Sequence, residues 1–329
     1  MAREISVLMI TVEWPDTNRP NAVPFLVRDV NLLRNQNIKV DVFPFRGAKN
    51  PINYIKAALA IRKKLRLAKY DLIHAQWGQS GVPVLLSGLP LVTTFRGSDL
   101  FGITDADGKY TWTGKILKWV SKIVALRSDC AILVSKRMVP LLPAKTKYVV
   151  LPGRINLKLF KPGSKGEARQ KLKIELNAKV ILFGGDPSRE DKRFYLARQA
   201  VEMVSKELPV QLLTASNVSQ SEMPAYYQAA DLLLLTSKHE GSPNMVKEAL
   251  ACNTPVVSVD VGDVRERIHN IPGCIVCEND LPLTIARALK AAIVFDNREV
   301  SLRDFVLDLD ENLFAEKLIA IYKKAISKE

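Results

Sequence analysis

The 329-residue sequence predicts an α/β protein made of two doubly wound halves, and three observations carry that reading. Apolar runs of about 4 to 8 residues alternate with stretches of helical periodicity along the whole chain, as parallel strands joined by crossover helices require. The length suits about two domains, each able to bury its own core. A stretch at 152–165 rich in breakers, with Pro152, Gly153, Pro162 and Gly163, divides the pattern near its middle.

In chain order, strands are expected at 5–12, 38–45, 72–75, 91–95, 130–134 and 148–151 in the first half. In the second they are expected at 179–183, 210–214, 231–236, 255–259 and 274–277. Helical stretches separate them. Two of these, 54–70 and 109–127, combine Lys and Arg with apolar residues at helical spacing, and the second adds Trp112 and Trp119. A final helix is read at about 311–328.

Composition excludes several classes. At 47% hydrophobic and 25% charged, the chain is an ordinary globular one. Its most apolar stretch, 82–95, is short of the ~18 to 20 residues of a membrane span and is broken by Pro83, Gly88 and Pro90. The first residues carry Arg3 and Glu4 and read at once as a strand, so no signal peptide is expected and the expected location is the cytoplasm. Cys274 and Cys277 have CxxC spacing but lie in a strand-like alternation without a second pair, and Cys130 and Cys252 read as small core residues. His239 and His269 have no partner visible in sequence.

Charge is unevenly distributed. Residues 1–155 hold 24 Lys and Arg against 10 Asp and Glu, whereas the remainder holds 24 against 24, so the whole net charge of +14 belongs to the first half. Solvated helix faces account for this, and so does a partner with an anionic membrane surface. No nucleic-acid partner is expected, because no nucleic-acid module accompanies the charge.

The stretch 239–266, HEGSPNMVKEALACNTPVVSVDVGDVRE, is the most informative. Ser242 is expected as N-cap and Pro243 as first helical residue, followed by Met245, Val246, Ala249 and Leu250 at helical spacing. Glu240 then sits on the incoming loop, and Glu248 about two turns in, so that both carboxylates border the helix mouth. The N–H groups of Gly241, Ser242, Asn244, Met245 and Val246, with the positive end of the helix dipole, can hold phosphates, while the carboxylates accept hydrogen bonds from hydroxyls. A nucleotide sugar has that pattern of groups. A surface helix with two solvated acids is the plain alternative, but apolar runs at 232–235 and 255–259 place the motif between two buried strands, where open α/β sheets bind ligands.

Glu-Gly and Glu-Ala separated by six residues, then Pro-Val-Val, an Asp and a Gly, resemble the donor-site signature of retaining GT-B glycosyltransferases of family 4. The resemblance implies an α/β GT-B fold with two Rossmann-like doubly wound domains facing across a cleft, and a C-terminal helix crossing back to the first domain. Domains are expected at 1–155 (acceptor side), 156–310 (nucleotide-sugar donor) and 311–329 (returning helix). It implies that Glu248 binds the nucleotide ribose and that Glu240 lies by the transferred sugar. FGGDPSREDKRF at 183–194 resembles the family's phosphate loop, with Lys192 at the position that neutralises the donor diphosphate. There Asp186 replaces an Arg, leaving Arg189 or Arg193 to supply a second positive charge. Asn217 is a candidate base contact.

In the first half, TFRGSDL at 94–100 resembles the family's Thr-x-His-Gly-x-Asp loop, bringing Gly97 and Asp99 to the acceptor side. Arg96 stands where His is common; permanently charged, it would bind phosphate or a sugar hydroxyl rather than shuttle a proton. DLIHAQW at 71–77 places His74 at a strand end, where a packed role competes with a catalytic one. The loop after the first strand has Arg19, Pro20 and Asn21 where the family often has Gly-Gly, so Arg19 would act through its side chain. PGRINLKLF, beginning at Pro152, resembles the interdomain segment.

The expected activity is transfer, with retention, of a sugar from a nucleotide sugar to a glycan or lipid-linked acceptor in surface polysaccharide or glycoconjugate synthesis. No cofactor or metal is expected, since no Asp-x-Asp motif is present and fixed basic groups can do a metal's work. The location would be cytoplasmic, peripheral on the inner face of the membrane. Two alternatives are a nucleotide-sugar epimerase or hydrolase on the same fold, and a catalytically silent GT-B binding protein.

Overall fold

The computed structural model describes residues 4–20, 22–48, 50–103, 109–216, 218–295 and 300–327. The chain divides into two compact units: unit 1 runs to Pro152 and resumes at Asn312, and unit 2 is Gly153–Glu311.

Unit 1 alternates β1 (Ser6–Thr11), α1 (Pro24–Asn35), β2 (Lys39–Pro44), α2 (Pro51–Leu67), β3 (Leu72–Gln76), α3 (Gly78–Gly81), β4 (Leu91–Phe95), α4 (Ser98–Phe101), α5 (Trp112–Arg127), β5 (Cys130–Leu133) and β6 (Tyr148–Val150). The six strands pair in parallel in the order β2-β1-β3-β4-β5-β6. The connection through α1 steps one way along this sheet and those through α2, α3 and α5 step the other. Right-handed crossovers therefore put α1 on one face and the others on the opposite face. The cores follow: Leu26, Val30 and Leu33 of α1 pack with Val7, Met9 and Leu72, whereas Ile61 of α2 packs with Leu8, Ile10 and Ile73. Val124 and Ala125 of α5 meet Phe95, Ala131 and Leu133.

Unit 2 contains α6 (Lys165–Lys171), β7 (Lys179–Phe183), α7 (Phe194–Ser205), β8 (Val210–Leu213), α8 (Met223–Ala229), β9 (Leu232–Leu235), α9 (Asn244–Ala251), β10 (Val256–Ser258), α10 (Val264–Ile268), β11 (Ile275–Val276) and α11 (Pro282–Val294). Its five parallel strands run β11-β10-β9-β7-β8. The four leucines of β9 are all buried, as an unbroken apolar run in a strand covered on both faces should be. The last helix, α12 (Glu311–Ser327), belongs to unit 1 for almost all its length: Leu318, Tyr322 and Ala325 join the α1 core.

Every strand read from the sequence is present, with each end matched or shifted by one residue. Two local expectations are corrected. The helix read at 54–70 starts at Pro51, because the Asn50 side chain accepts the Ile52 N–H at 3.0 Å and caps it. The stretch 152–165, read as a linker, is packed within unit 2 from Gly153 on: Ile155 N–H donates to Leu309 O at 2.8 Å, and Leu157 and Phe160 are buried in the unit 2 core. No helix among the described residues is long and apolar enough to cross a membrane.

Candidate functional site

The site in unit 2 is built where β7 and β9 end. The loop that follows β7 is stitched to the chain that follows β9. Gly184 N–H donates to Leu234 O at 2.7 Å, Lys238 N–H to Asp191 O at 2.8 Å, and the Thr236 hydroxyl to Lys192 O at 2.8 Å. Arg193 Nε returns a bond to Thr236 O at 2.7 Å. This fixes Lys192, whose stem lies over Gly185: a Cβ there would come within 3.0–3.1 Å of the lysine's Cγ, Cβ and Cδ. The Lys192 ammonium then reaches Glu240 Oε1 as a hydrogen-bonded ion pair, with side chains only 14% and 18% exposed. The two residues expected at the diphosphate and at the transferred sugar are thus in direct contact.

The helix mouth differs from the sequence reading by one residue. α9 begins at Asn244, its N-cap is Pro243, and no side chain caps it. Ser242, expected to be that cap, instead donates its hydroxyl to Asp263 Oδ2 at 2.5 Å, because the loop at 262–263 lies against it. A Cβ on Gly262 would meet Gly241 O at 2.7 Å, so a glycine, here at φ +55°, is what lets the two loops close up. By helix geometry the first amides of α9 have no acceptor within the helix, and with the dipole they form an anion-favouring end.

Glu248 lies one turn and more along α9, half-buried, and Tyr227 of α8 donates its hydroxyl to Glu248 Oε2 at 2.8 Å. Burial and this carboxylate hold the Tyr227 phenol well above its ordinary range, so it stays a donor. Lys247 is fully buried, with Nζ 3.3 Å from Gly153 O and 3.4 Å from Ser242 O. It ties the loop before α9 to the first residues of unit 2. Tyr227, Lys247 and Asp263 were not among the residues singled out from the sequence; the only signals were a lysine on the buried side of an amphipathic helix and the Asp next to the signature's Gly.

Of the remaining donor-side residues, Met245 is half-buried and Val246 buried on α9. Arg189 makes a bidentate pair with Asp191, at 3.0 and 2.7 Å, on the surface. Arg193 pairs with Asp280 as well as Thr236 O. Both candidates for a second positive charge are thus held by carboxylates. Asp186, where the family has Arg, accepts the Ser188 N–H and hydroxyl at 2.9 and 2.8 Å, and these bonds lower its pKa. Asn217 and, in unit 1, Asn21 lie outside the described residues.

Of the four residues expected on the acceptor side, His74, Gly97 and Asp99 are buried in unit 1 and Arg19 is exposed. Asp99 is buried, and its carboxylate accepts backbone N–H groups of Gly78, Arg96, Gly97 and Leu100 at 2.9–3.2 Å, which shapes the loop around Gly97. Arg96 donates to Gln76 Oε1 at 2.8 Å and to Asp29 Oδ2 at 3.2 Å, and its guanidinium lies 4.5 Å from the Phe25 ring centroid. His74 is buried with Nδ1 2.6 Å from the Tyr322 hydroxyl and Nε2 2.8 Å from Thr94 Oγ1. Desolvation, with Arg96 nearby, lowers its pKa to about 3, so it is a neutral packing residue that anchors α12. Arg19 is exposed, beside a turn closed by Asp16 Oδ1, which accepts the Asn18 and Arg19 N–H groups at 3.0 and 2.9 Å.

Comparison with known proteins gives the family and the fold. The model of glycosyltransferase family 4 matches residues 1–156, and that of glycosyl transferases group 1 matches residues 166–294. D-inositol 3-phosphate glycosyltransferase 1 of Catenulispora acidiphila is 25% identical over 309 residues, covering 78% of this chain and 73% of that protein. Sucrose-phosphate synthase from Thermosynechococcus elongatus superposes with a TM-score of 0.80 at 16% identity, covering 99% of this chain and all of that one. HepE from Anabaena, solved in complex with UDP and glucose, does so with a TM-score of 0.71 at 14% identity, covering 98% and 100%. The fold is GT-B. The chain belongs to the group 1, family 4 glycosyltransferases and is a glycosyltransferase.

Proposed function

We propose that the protein is a retaining glycosyltransferase that takes a sugar from a nucleoside-diphosphate sugar and delivers it to a glycan or lipid-linked acceptor in the synthesis of a surface polysaccharide or glycoconjugate. The observation that carries the reading is the Lys192–Glu240 pair, set beside the N-terminus of α9 with Glu248 farther along the same helix. One basic group, one anion-favouring helix end and two carboxylates match a ligand with phosphates between two hydroxyl-bearing rings. HepE, with which this chain shares its fold, was solved with UDP and glucose, in keeping with such a donor.

In this reading the incoming diphosphate replaces Glu240 as the partner of Lys192, and Glu240 turns to a hydroxyl of the transferred sugar. Glu248, held by Tyr227, receives the ribose hydroxyls. The bond from the anomeric carbon to the phosphate oxygen breaks and the diphosphate leaves with the electron pair. The acceptor hydroxyl bonds to that carbon from the face the diphosphate departs, and a phosphate oxygen takes its proton. No side-chain nucleophile is needed. The protein's part is to stabilise charge growing on the diphosphate, through Lys192 and the α9 amides, an effect worth about 3 to 4 kcal/mol per well-placed donor. We assign that work to these fixed groups rather than to a metal. The acceptor would be met peripherally, at the inner face of a membrane.

A thermal-shift panel of UDP-, GDP-, ADP-, CMP- and dTDP-sugars tests the reading. One class should raise the melting temperature, since a ligand at 100 times its Kd adds ~2.7 kcal/mol. No shift with any of them would sink it.

A further inference from the structure

The outward surface of the α2 and α5 layer of unit 1 is unusual in what it shows to solvent. In α5, Trp112, Ile116 and Trp119 recur at i, i+4 and i+7, one helical face, and they are 77%, 41% and 65% exposed. Leu126 continues the stripe, and Lys115 and Lys122, both exposed, flank it. In α2, Ile52, Ile55 and Leu59 repeat the pattern at 57–63% exposure, and Arg62, Lys63 and Arg66 prolong the same face as exposed cations. Neither helix contains an Asp or Glu. Their inner faces, Ile61 in α2 and Val124 with Ala125 in α5, are the ones that pack on the sheet. The outer apolar stripes are therefore additional to what the fold needs.

We propose that this layer is a docking face for an anionic lipid bilayer, with Trp112, Ile116 and Trp119 entering the interface and the flanking Lys and Arg resting on acidic headgroups. Charge complementarity selects that occupant. The +14 net charge resides in residues 1–155, and every charged residue within α2 and α5 is a cation. A basic amphipathic face carrying Trp is the pattern of an interfacial helix, with the ring at headgroup level and lysine stems reaching outward. The structure also sorts the cations. Lys64 is paired with Asp41 at 3.3 Å and Lys118 lies 4.2 Å from the Tyr110 ring centroid, so Arg62, Lys63, Lys115 and Lys122 are the lipid contacts. The inference rests on the membrane-side part of the proposed function and deepens it, whereas the donor-site reading concerns unit 2 and is tested separately by nucleotide-sugar binding.

The test is sedimentation of the full chain with phosphatidylcholine vesicles, with and without phosphatidylglycerol, at low and high salt. Pelleting is expected with the acidic vesicles only, and release by salt. Trp112→Ser with Trp119→Ser, and separately charge reversal to Glu at Arg62, Lys63, Lys115 and Lys122, should each raise the lipid needed by at least about tenfold. Melting temperature and nucleotide-sugar binding should not change in either variant. Brominated lipid should quench the tryptophan fluorescence of the parent protein but not of the double Trp variant. Negligible pelleting with both vesicle types, or unchanged pelleting of both variants, would overturn the proposal. So would concentration-dependent self-association that the Trp variant abolishes, because the face would then join two copies of this chain.

Discussion

The loop that follows β4 in unit 1 and the joined loops that follow β7 and β9 in unit 2 each bring together an acid, a base and a glycine, but give the charged groups different partners. After β4 the carboxylate of Asp99 is taken up by backbone amides, and Arg96 is engaged by Gln76, Asp29 and the face of Phe25. After β9 Glu240 meets Lys192 side chain to side chain, and Glu248 meets the hydroxyl of Tyr227. A carboxylate bound to main-chain amides cannot change partner without unmaking its loop, whereas a pair of side chains can separate around a ligand. The difference separates groups that shape the protein from groups that can serve a substrate.

The sharpest way to break this contrast is Lys192→Ala. Turnover with the best nucleotide sugar should fall about 10²- to 10³-fold, as when one charge-stabilising donor is removed, while the melting temperature stays close to that of the parent. A comparable fall in stability with turnover retained would place Lys192 among the shaping groups. Arg96→Ala should do the reverse. It removes the ion-pair partner of Asp29, at 3.2 Å, and should lower stability by about 2 to 3 kcal/mol in denaturant titration. Donor affinity should be unaltered, and a selective loss of it would move Arg96 to the ligand. Gly185→Ala sharpens the comparison within unit 2. The new methyl would sit 3.0 Å from Lys192 Cγ, so the lysine must shift by a few tenths of an ångström, and turnover should drop several-fold, on the scale of about 1 kcal/mol. The fourth expectation concerns pH and leaves turnover aside. Burial lowers the His74 pKa from 6.5 to about 3, so on acidification the unfolded chain takes up the proton first. Stability should therefore fall as pH drops below 6.5, by at most ~1.4 kcal/mol per unit, and His74→Gln should flatten that slope above about pH 5, where carboxylates of ordinary pKa do not yet contribute.

The strands were legible because each is a compact apolar run between breakers, down to the four leucines of β9. The helix that carries Glu248 was legible from its period, but its first residue was not. Ser242 has the right chemistry for an N-cap and yet bonds to Asp263, a partner 21 positions away that no local pattern reveals. The same holds for Tyr227 on Glu248 and for Gly185 beneath Lys192: side chains from separate elements meet only once the sheet has formed. His74 shows the converse. The sequence places it at a strand end; it is instead the middle residue of β3, and its two hydrogen-bond partners, Thr94 and Tyr322, lie 20 and 248 residues away. The basic helices were legible in charge, while the outward turn of Trp112 and Trp119 needed the sheet to define which face is inside.

The central claim is that the mouth of α9 binds the donor, and Glu248→Gln tests it most directly, because the amide keeps an acceptor for Tyr227 and so spares the fold. Calorimetric titration of the parent and the variant with the nucleotide sugar chosen by thermal shift should show at least about a tenfold weaker Kd in the variant, the loss expected when a charged hydrogen bond to a ribose hydroxyl becomes a neutral one. Melting temperatures should be the same. Equal affinity in the two proteins would contradict the assignment of Glu248 and, with it, the donor site.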